Sequence, residues 1–155
     1  MREDVPALVR LRIANAERHV DLAPEVHRVP DAEDVRRYFE DSLSAGSNVV
    51  VLVATSGGQV IGMSELVILS APPAHQILIP RRAAEIHTVV LDRHRGHGTG
   101  GALVRAAERA AEDRGVAVIY AAILASNHGA ARFYETAGFG PRGTLLRKEL
   151  GRSAH

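Results

Sequence analysis

The sequence predicts an α/β or α+β fold built on a single sheet flanked by helices. Three observations predict it. Two helical stretches come first, β-rich runs dominate the middle, and two further helices alternate with strand-like runs near the end. The resulting order is ααβββαβαβ, without an internal repeat or a low-complexity segment.

Residues 4–19, DVPALVRLRIANAERH, set Val5, Leu8, Val9, Arg12 and Ile13 at helical spacing, with Asp4 and Pro6 as start signals. Asp31 opens a second helix that runs to Ser44 and is ended by AGSN. NVVVLVAT and QVIGMSELVIL are β-rich runs joined through SGGQ, a hairpin signal whose glycines accept positive φ. Residues 70–82, rich in proline, read as a loop, and AAEIHTVVL at 83–91 reads as another strand.

After a glycine-rich stretch, residues 101–114 predict a helix. Leu103, Val104, Ala107, Ala110 and Ala111 turn inward, Arg105, Glu108, Arg109, Glu112 and Asp113 turn outward, and Gly115 stops it. VAVIYAAIL at 116–124 predicts a buried strand. Asn127 caps a short helix ending at Gly138, and GTLLRKEL at 143–150 suggests a closing strand.

Composition bounds the function. A chain of 155 residues fits one domain over 1–155 with a real core, and its 46% hydrophobic content argues against disorder. Aromatics are only 4% and Trp is absent, so the core is built from Ala, Val, Leu and Ile. Nineteen basic and 18 acidic residues give a formal net charge of +1, which leaves no electrostatic footprint for nucleic acid. The absence of cysteine excludes disulfides, thiolate metal sites and a cysteine nucleophile. MREDVPALVR carries acids and no apolar run, unlike a signal peptide, and no stretch approaches the roughly 20 apolar residues of a membrane span. The expectation is a soluble cytoplasmic protein.

Chemistry concentrates in RHRGHGTGGALV, between a β-branched run and an alanine-rich helix. Gly96-His97-Gly98-Thr99-Gly100-Gly101 satisfies G-x-G-x-x-G literally. A Rossmann fingerprint also expects the strand to run almost straight into the first glycine, and an acid about 20 residues on for the ribose. Here four residues intervene, and residues 116–126 contain no Asp or Glu. A Walker A loop is excluded, because Gly101-Ala102 stand where Lys and Ser/Thr are needed.

A third reading keeps the physics and changes the ligand. Amides at a helix start lack intrahelical partners and carry the positive dipole end, and glycines let a phosphate approach them. Such a turn grips a pyrophosphate without hydrolysing it, with Arg95 adding charge at its mouth. Four glycines at a helix start cost roughly 1 kcal/mol each against alanine, so a merely structural turn is the less economical explanation.

These residues resemble the GCN5-related N-acetyltransferase (GNAT) superfamily. Its motif is an apolar strand, a short spacer, then Gln/Arg-x-x-Gly-x-Gly/Ala opening a helix; here it reads Val90, four residues, and Arg95-Gly96-His97-Gly98-Thr99-Gly100. A second signature, Asn-x-x-Ala-x-x-Phe-Tyr-Glu-x-x-Gly-Phe, is matched by Asn127, Ala130, Phe133, Tyr134, Glu135, Gly138 and Phe139. The resemblance covers about residues 4–150. It implies a mixed, mostly antiparallel sheet flanked by helices, with the family's first strand missing from this chain.

The resemblance further implies an enzyme that transfers the acetyl group of acetyl-CoA to a primary amine of a small molecule, amino acid, peptide or protein. Amides from Arg95 through Gly96, His97, Gly98, Thr99 and Gly100 to Gly101 would hold the pyrophosphate. The strand end Thr88-Val89-Val90 would serve the pantetheine amides where the family's sheet splays open. Asn127, Ala130 and Tyr134, at i, i+3 and i+7, would share one helical face toward the cosubstrate.

A protonated amine must lose a proton before it attacks, and the leaving thiolate gains from a proton donor. Tyr134 is the candidate general acid. Glu85 is the first candidate base, with His87 and Glu65 behind it. Of His87, His94 and His97, two lie in the candidate phosphate turn and no H-E-x-x-H pattern is present, so no metal is expected there. The family usually builds its acceptor site from regions that here are residues 15–46 and 70–82. The second offers His75, Arg81 and Arg82, which would suit an acceptor carrying a carboxylate. A homodimer is compatible with the resemblance. Two other classes stay open at this point: a non-catalytic acyl-CoA-binding or sensing module of the same fold, and a nucleotide-binding oxidoreductase, which would need NAD.

Overall fold

The structure is a computed structural model that describes residues 2–151. A short 3₁₀ turn, Arg2–Asp4, leads into α1 (Val5–Leu22), followed by α2 (Ala32–Ser42), β1 (Val49–Ser56), β2 (Gln59–Ile68) and β3 (Ala83–Val90). A second 3₁₀ turn, Asp92–His94, precedes α3 (Thr99–Glu112), β4 (Val118–Tyr120) and α4 (His128–Thr136). The sheet order is β1-β2-β3-β4, with β1/β2 and β2/β3 antiparallel and β3/β4 parallel. This is the mixed, mostly antiparallel sheet expected, and among the described residues no strand precedes α1.

The local signals act as read. Asp31 caps α2 by accepting from the amides of Glu33 and Asp34 at 2.9 and 3.3 Å. Gly57 and Gly58 sit at φ 57° and 78°, as a tight hairpin turn requires. Gly115 ends α3 at φ 71°, where its amide reaches the Glu112 carbonyl and the Val116 amide reaches that of Ala111, satisfying two orphan acceptors.

Two apolar layers sandwich the sheet. Val5, Leu8 and Leu11 of α1 and Val35 and Phe39 of α2 pack with Val51, Met63 and Val89 on one face. Val104, Ala107 and Ala111 of α3 and Tyr134 of α4 pack with Leu66, Ala84 and Ile86 on the other. Alternation along β3 therefore sends Ala84, Ile86 and Thr88 toward α3 and α4, and Glu85, His87 and Val89 toward α1 and α2.

Two sequence expectations are corrected. The strand expected at 116–124 is only Val118–Tyr120, because the chain leaves the ladder once β3 and β4 part. The closing strand expected at 143–150 does not form: Leu145, Leu146 and Leu150 are 98%, 86% and 82% exposed. Adjacent leucines would face opposite sides of a strand, leaving one in water, and the three-residue β4 offers little ladder to pay for ordering.

Candidate active site

The site forms where the sheet comes apart. The β3/β4 ladder consists of Ala83↔Val118, Ala84↔Ile119 and Glu85↔Tyr120. β3 continues to Val90, paired to β2 as far as Gly62↔Val90, while the chain beyond Tyr120 diverges. Between them opens a cleft of about 630 Å³, a size suited to a small ligand. Ile86 to Val90 form one wall, and Ala122 to Leu124 with α4 form the other. The glycine turn closes one end, and Asn15, Arg18, His19 and Leu22 of α1 border the cleft.

Twelve side chains or backbone positions singled out in the sequence meet here: Thr88, Val89, Val90, Arg95, Gly96, Gly98, Thr99, Gly100, Gly101, Asn127, Ala130 and Tyr134. His97 is exposed and Glu85 half-buried, and neither lines the cleft. The 70–82 loop, including His75, Arg81 and Arg82, also contributes nothing to the lining, whereas α1 contributes four residues and His27 a fifth.

The glycines have separable duties. Gly96 and Gly98 lie at φ 78° and 80°, with open space where a Cβ would stand. A Cβ on Gly100 would come within 2.8 Å of the Phe133 ring, so this glycine lets α4 close on α3. Gly98 caps α3 without a side-chain acceptor, and the first i→i−4 bond is from the Ala102 amide to the Gly98 carbonyl. The amides of Thr99, Gly100 and Gly101 precede that bond and supply donors at the positive end of the helix. Arg95 is fixed beside them: its Nε donates to the Val90 carbonyl at 3.2 Å and stands 3.3 Å from Asp92 Oδ1.

Asn127 does cap α4, its Oδ1 accepting from the Ala130 amide at 3.1 Å, and it lines the cleft as well. Tyr134 is 8% exposed between Phe133 and Phe139. Burial pushes its phenol above the ordinary 10, and interactions with the Thr88 hydroxyl and backbone pull it partly back. Thr88 is held in turn by the fully buried Ser64, oxygen to oxygen 3.2 Å. This Ser64–Thr88–Tyr134 connection was not anticipated from sequence, which used Thr88 only for its backbone.

On the opposite face of β3 the Glu85 Oε1 lies 3.2 Å from His87 Nε2, and His87 borders the cleft. Glu65, opposite His87 in the register, is a different kind of carboxylate. It is 2% exposed, its Oε1 is bound by the Arg12 guanidinium, and its Oε2 accepts from the Tyr38 hydroxyl at 2.6 Å. Burial and this carboxylate raise the Tyr38 phenol above its usual value. Both of its oxygens are engaged by side chains of α1 and α2. Among the described residues no three His, Asp or Glu groups are placed to hold a metal.

Residues 16–139 match the model of the Acetyltransferase (GNAT) family. The chain belongs to that family. No curated protein sequence matches this GNAT chain significantly. Its fold is similar to that of a tetramutant of the BH1408 protein from Bacillus halodurans (TM-score 0.85, 20% identity, 97% of this chain and 96% of that one). It is also similar to a ribosomal-protein-alanine N-acetyltransferase from Brucella melitensis (0.72, 27%, 98% and 90%). A predicted acetyltransferase from Clostridium acetobutylicum, whose structure is described with acetyl-CoA, matches at 0.72 and 21% over 96% and 92%. No helix of the described residues is long and apolar enough to cross a membrane.

Proposed function

We propose that this GNAT protein transfers the acetyl group of acetyl-CoA to a primary amine of a small molecule, amino acid, peptide or protein. The observation that carries the reading is the half-paired β3, whose open side adjoins a glycine turn with uncapped helix amides. An extended ligand with a pyrophosphate at one end fits that combination. The open Gly96 and Gly98 would admit the phosphates, Thr99 to Gly101 would supply amides, and β3 would offer backbone groups to an amide-bearing arm. Asn127 and the small Ala130 border the same path.

Acetyl-CoA supplies an acetyl group activated as a thioester: a C–N bond to the amine forms, and the C–S bond breaks with its electron pair on sulfur. Tyr134 stays protonated throughout the neutral range because burial raises its phenol. It can therefore give its proton to the departing sulfur and recover one from water. Fixing by Thr88 aims the hydroxyl without removing the proton.

Calorimetric titration of the purified chain with acetyl-CoA, and with NAD as control, tests the reading. Binding of acetyl-CoA alone is expected. At a hundredfold excess over the dissociation constant it adds about 2.7 kcal/mol of stability. Turnover on an amine panel separates an enzyme from a sensing module, and Tyr134→Phe should lower kcat by roughly a hundredfold. Binding of neither nucleotide, or a Tyr134→Phe variant with full turnover, would sink the assignment in its respective part.

A further inference from the structure

The cleft lining contains histidines and arginines but no Asp or Glu. A transferase acting on amines needs a proton acceptor there, so the base must come from something other than a lining carboxylate. Glu65 is sealed by Arg12 and Tyr38, and Glu85 reaches the cleft only through the ring it touches.

We propose, resting on the transferase reading above, that His87 is the general base for the amine and that Glu85 is its positioning residue. Three observations meet on this pair. His87 borders the cleft while Glu85 does not. The carboxylate oxygen 3.2 Å from Nε2 favours a proton on that nitrogen, which leaves Nδ1 with the free lone pair. His87 also stands two residues past Glu85↔Tyr120, the last β3/β4 pair, and precedes Thr88, the residue that touches Tyr134. His87 and Thr88, the neighbour of the acid Tyr134, thus stand at adjacent positions on opposite faces of β3, beside the opening between β3 and β4.

The incoming ammonium gives one proton to His87 Nδ1, which passes it to water. Once the C–N bond has formed, the nitrogen loses a second to water, and the sulfur receives one from Tyr134, which is reprotonated by solvent. One proton is released per turnover. Glu85 stabilises the imidazolium without taking the proton. The other charged or titratable groups around this part of the cleft are Arg18 and His19 on α1, His27 after it, and His94 and Arg95 beyond β3; across the ladder from His87 stands Glu65, bound by Arg12 and Tyr38. His19 and His27 have their Nδ1 atoms committed toward the carbonyls of Asn15 and Ala23, at 2.8 and 3.3 Å, and among the described residues no carboxylate forms an ion pair with either ring.

The test is a pH–rate profile of the parent and His87→Ala, read beside kcat and KM for Glu85→Gln and Glu85→Asp. His87→Ala should lower kcat by roughly a hundredfold, abolish the acidic limb, and recover activity when imidazole is added to the buffer. Glu85→Gln should lower kcat by roughly tenfold. The loss should fall on kcat with KM for acetyl-CoA unchanged, and Glu85→Asp should restore activity, because the carboxylate orients the ring without touching either substrate. A His87→Ala variant that keeps its acidic limb, or a Glu85→Gln variant with unchanged kcat, would overturn the inference while acetyl-CoA binding leaves the transferase reading standing. Absence of acetyl-CoA binding in the parent would overturn both.

Discussion

Glu65 and Glu85 lie on the same face of the sheet, on neighbouring strands, and they illustrate two fates of a carboxylate. Glu65 is buried at 2% and has both oxygens occupied, one by Arg12 from α1 and one by Tyr38 from α2. It ties the helical layer to β2, and Arg12 also lies over the rings of Tyr38 and Phe39. Glu85, with a side chain 34% exposed, holds only a histidine that looks into the cleft. Burial with full pairing makes a carboxylate a structural tie. Partial exposure with one titratable partner leaves it free to influence chemistry.

Substitutions can break or sharpen that contrast. Glu65→Gln should have the largest effect on stability, about 3 kcal/mol, because it strands the Arg12 guanidinium that the carboxylate neutralised. A fall in the denaturation midpoint with unchanged m-value would register it; a midpoint unmoved would mean the tie is not structural. Tyr38→Phe removes one hydrogen bond at a half-exposed site and should cost about 1 kcal/mol by the same measurement.

It should also change the alkaline response. The folded Tyr38 and Tyr134 phenols titrate above the ordinary 10, so the folded state holds those protons more tightly than the unfolded chain. Their stabilising effect is complete below pH 10 and is lost as pH rises through the raised values. Tyr38→Phe should therefore lose less stability than the parent between pH 9 and strongly alkaline conditions. Glu85→Gln should have the smallest effect on stability, under about 0.5 kcal/mol, as expected for a partly exposed pair. A large thermal destabilisation by Glu85→Gln would erase the distinction drawn between the two acids.

Much of this was legible in the sequence because the relevant signals are local. Asp31, Asn127, Gly57, Gly58 and Gly115 each set a boundary through its own backbone or side chain, and the structure places the boundaries there. The two family motifs and the residues flanking the first of them supply twelve expected residues that line one cleft. What escaped depends on contacts between distant segments. Nothing in GTLLRKEL says that β4 is too short to pair with it. Nothing in VAVIYAAIL marks Tyr120 as the point where the ladder ends. A usable clue to the Glu65 tie was present: Arg12 falls on the inward stripe of α1, and Glu65 interrupts an apolar strand. A basic and an acidic residue both at core positions call for each other.

The one-sided pairing of β3 has a consequence for exchange with solvent. Along a strand the amides point alternately to left and right, so from Ile86 onward every second one is held by β2 and the others border the cleft. The free protein should then show an alternating pattern of slow and fast deuterium uptake within a single strand, something a fully laddered strand never does. A ligand lying along the open edge would erase the alternation at the residues it touches. The strand therefore carries its own residue-by-residue gauge of how far into the molecule a bound chain extends.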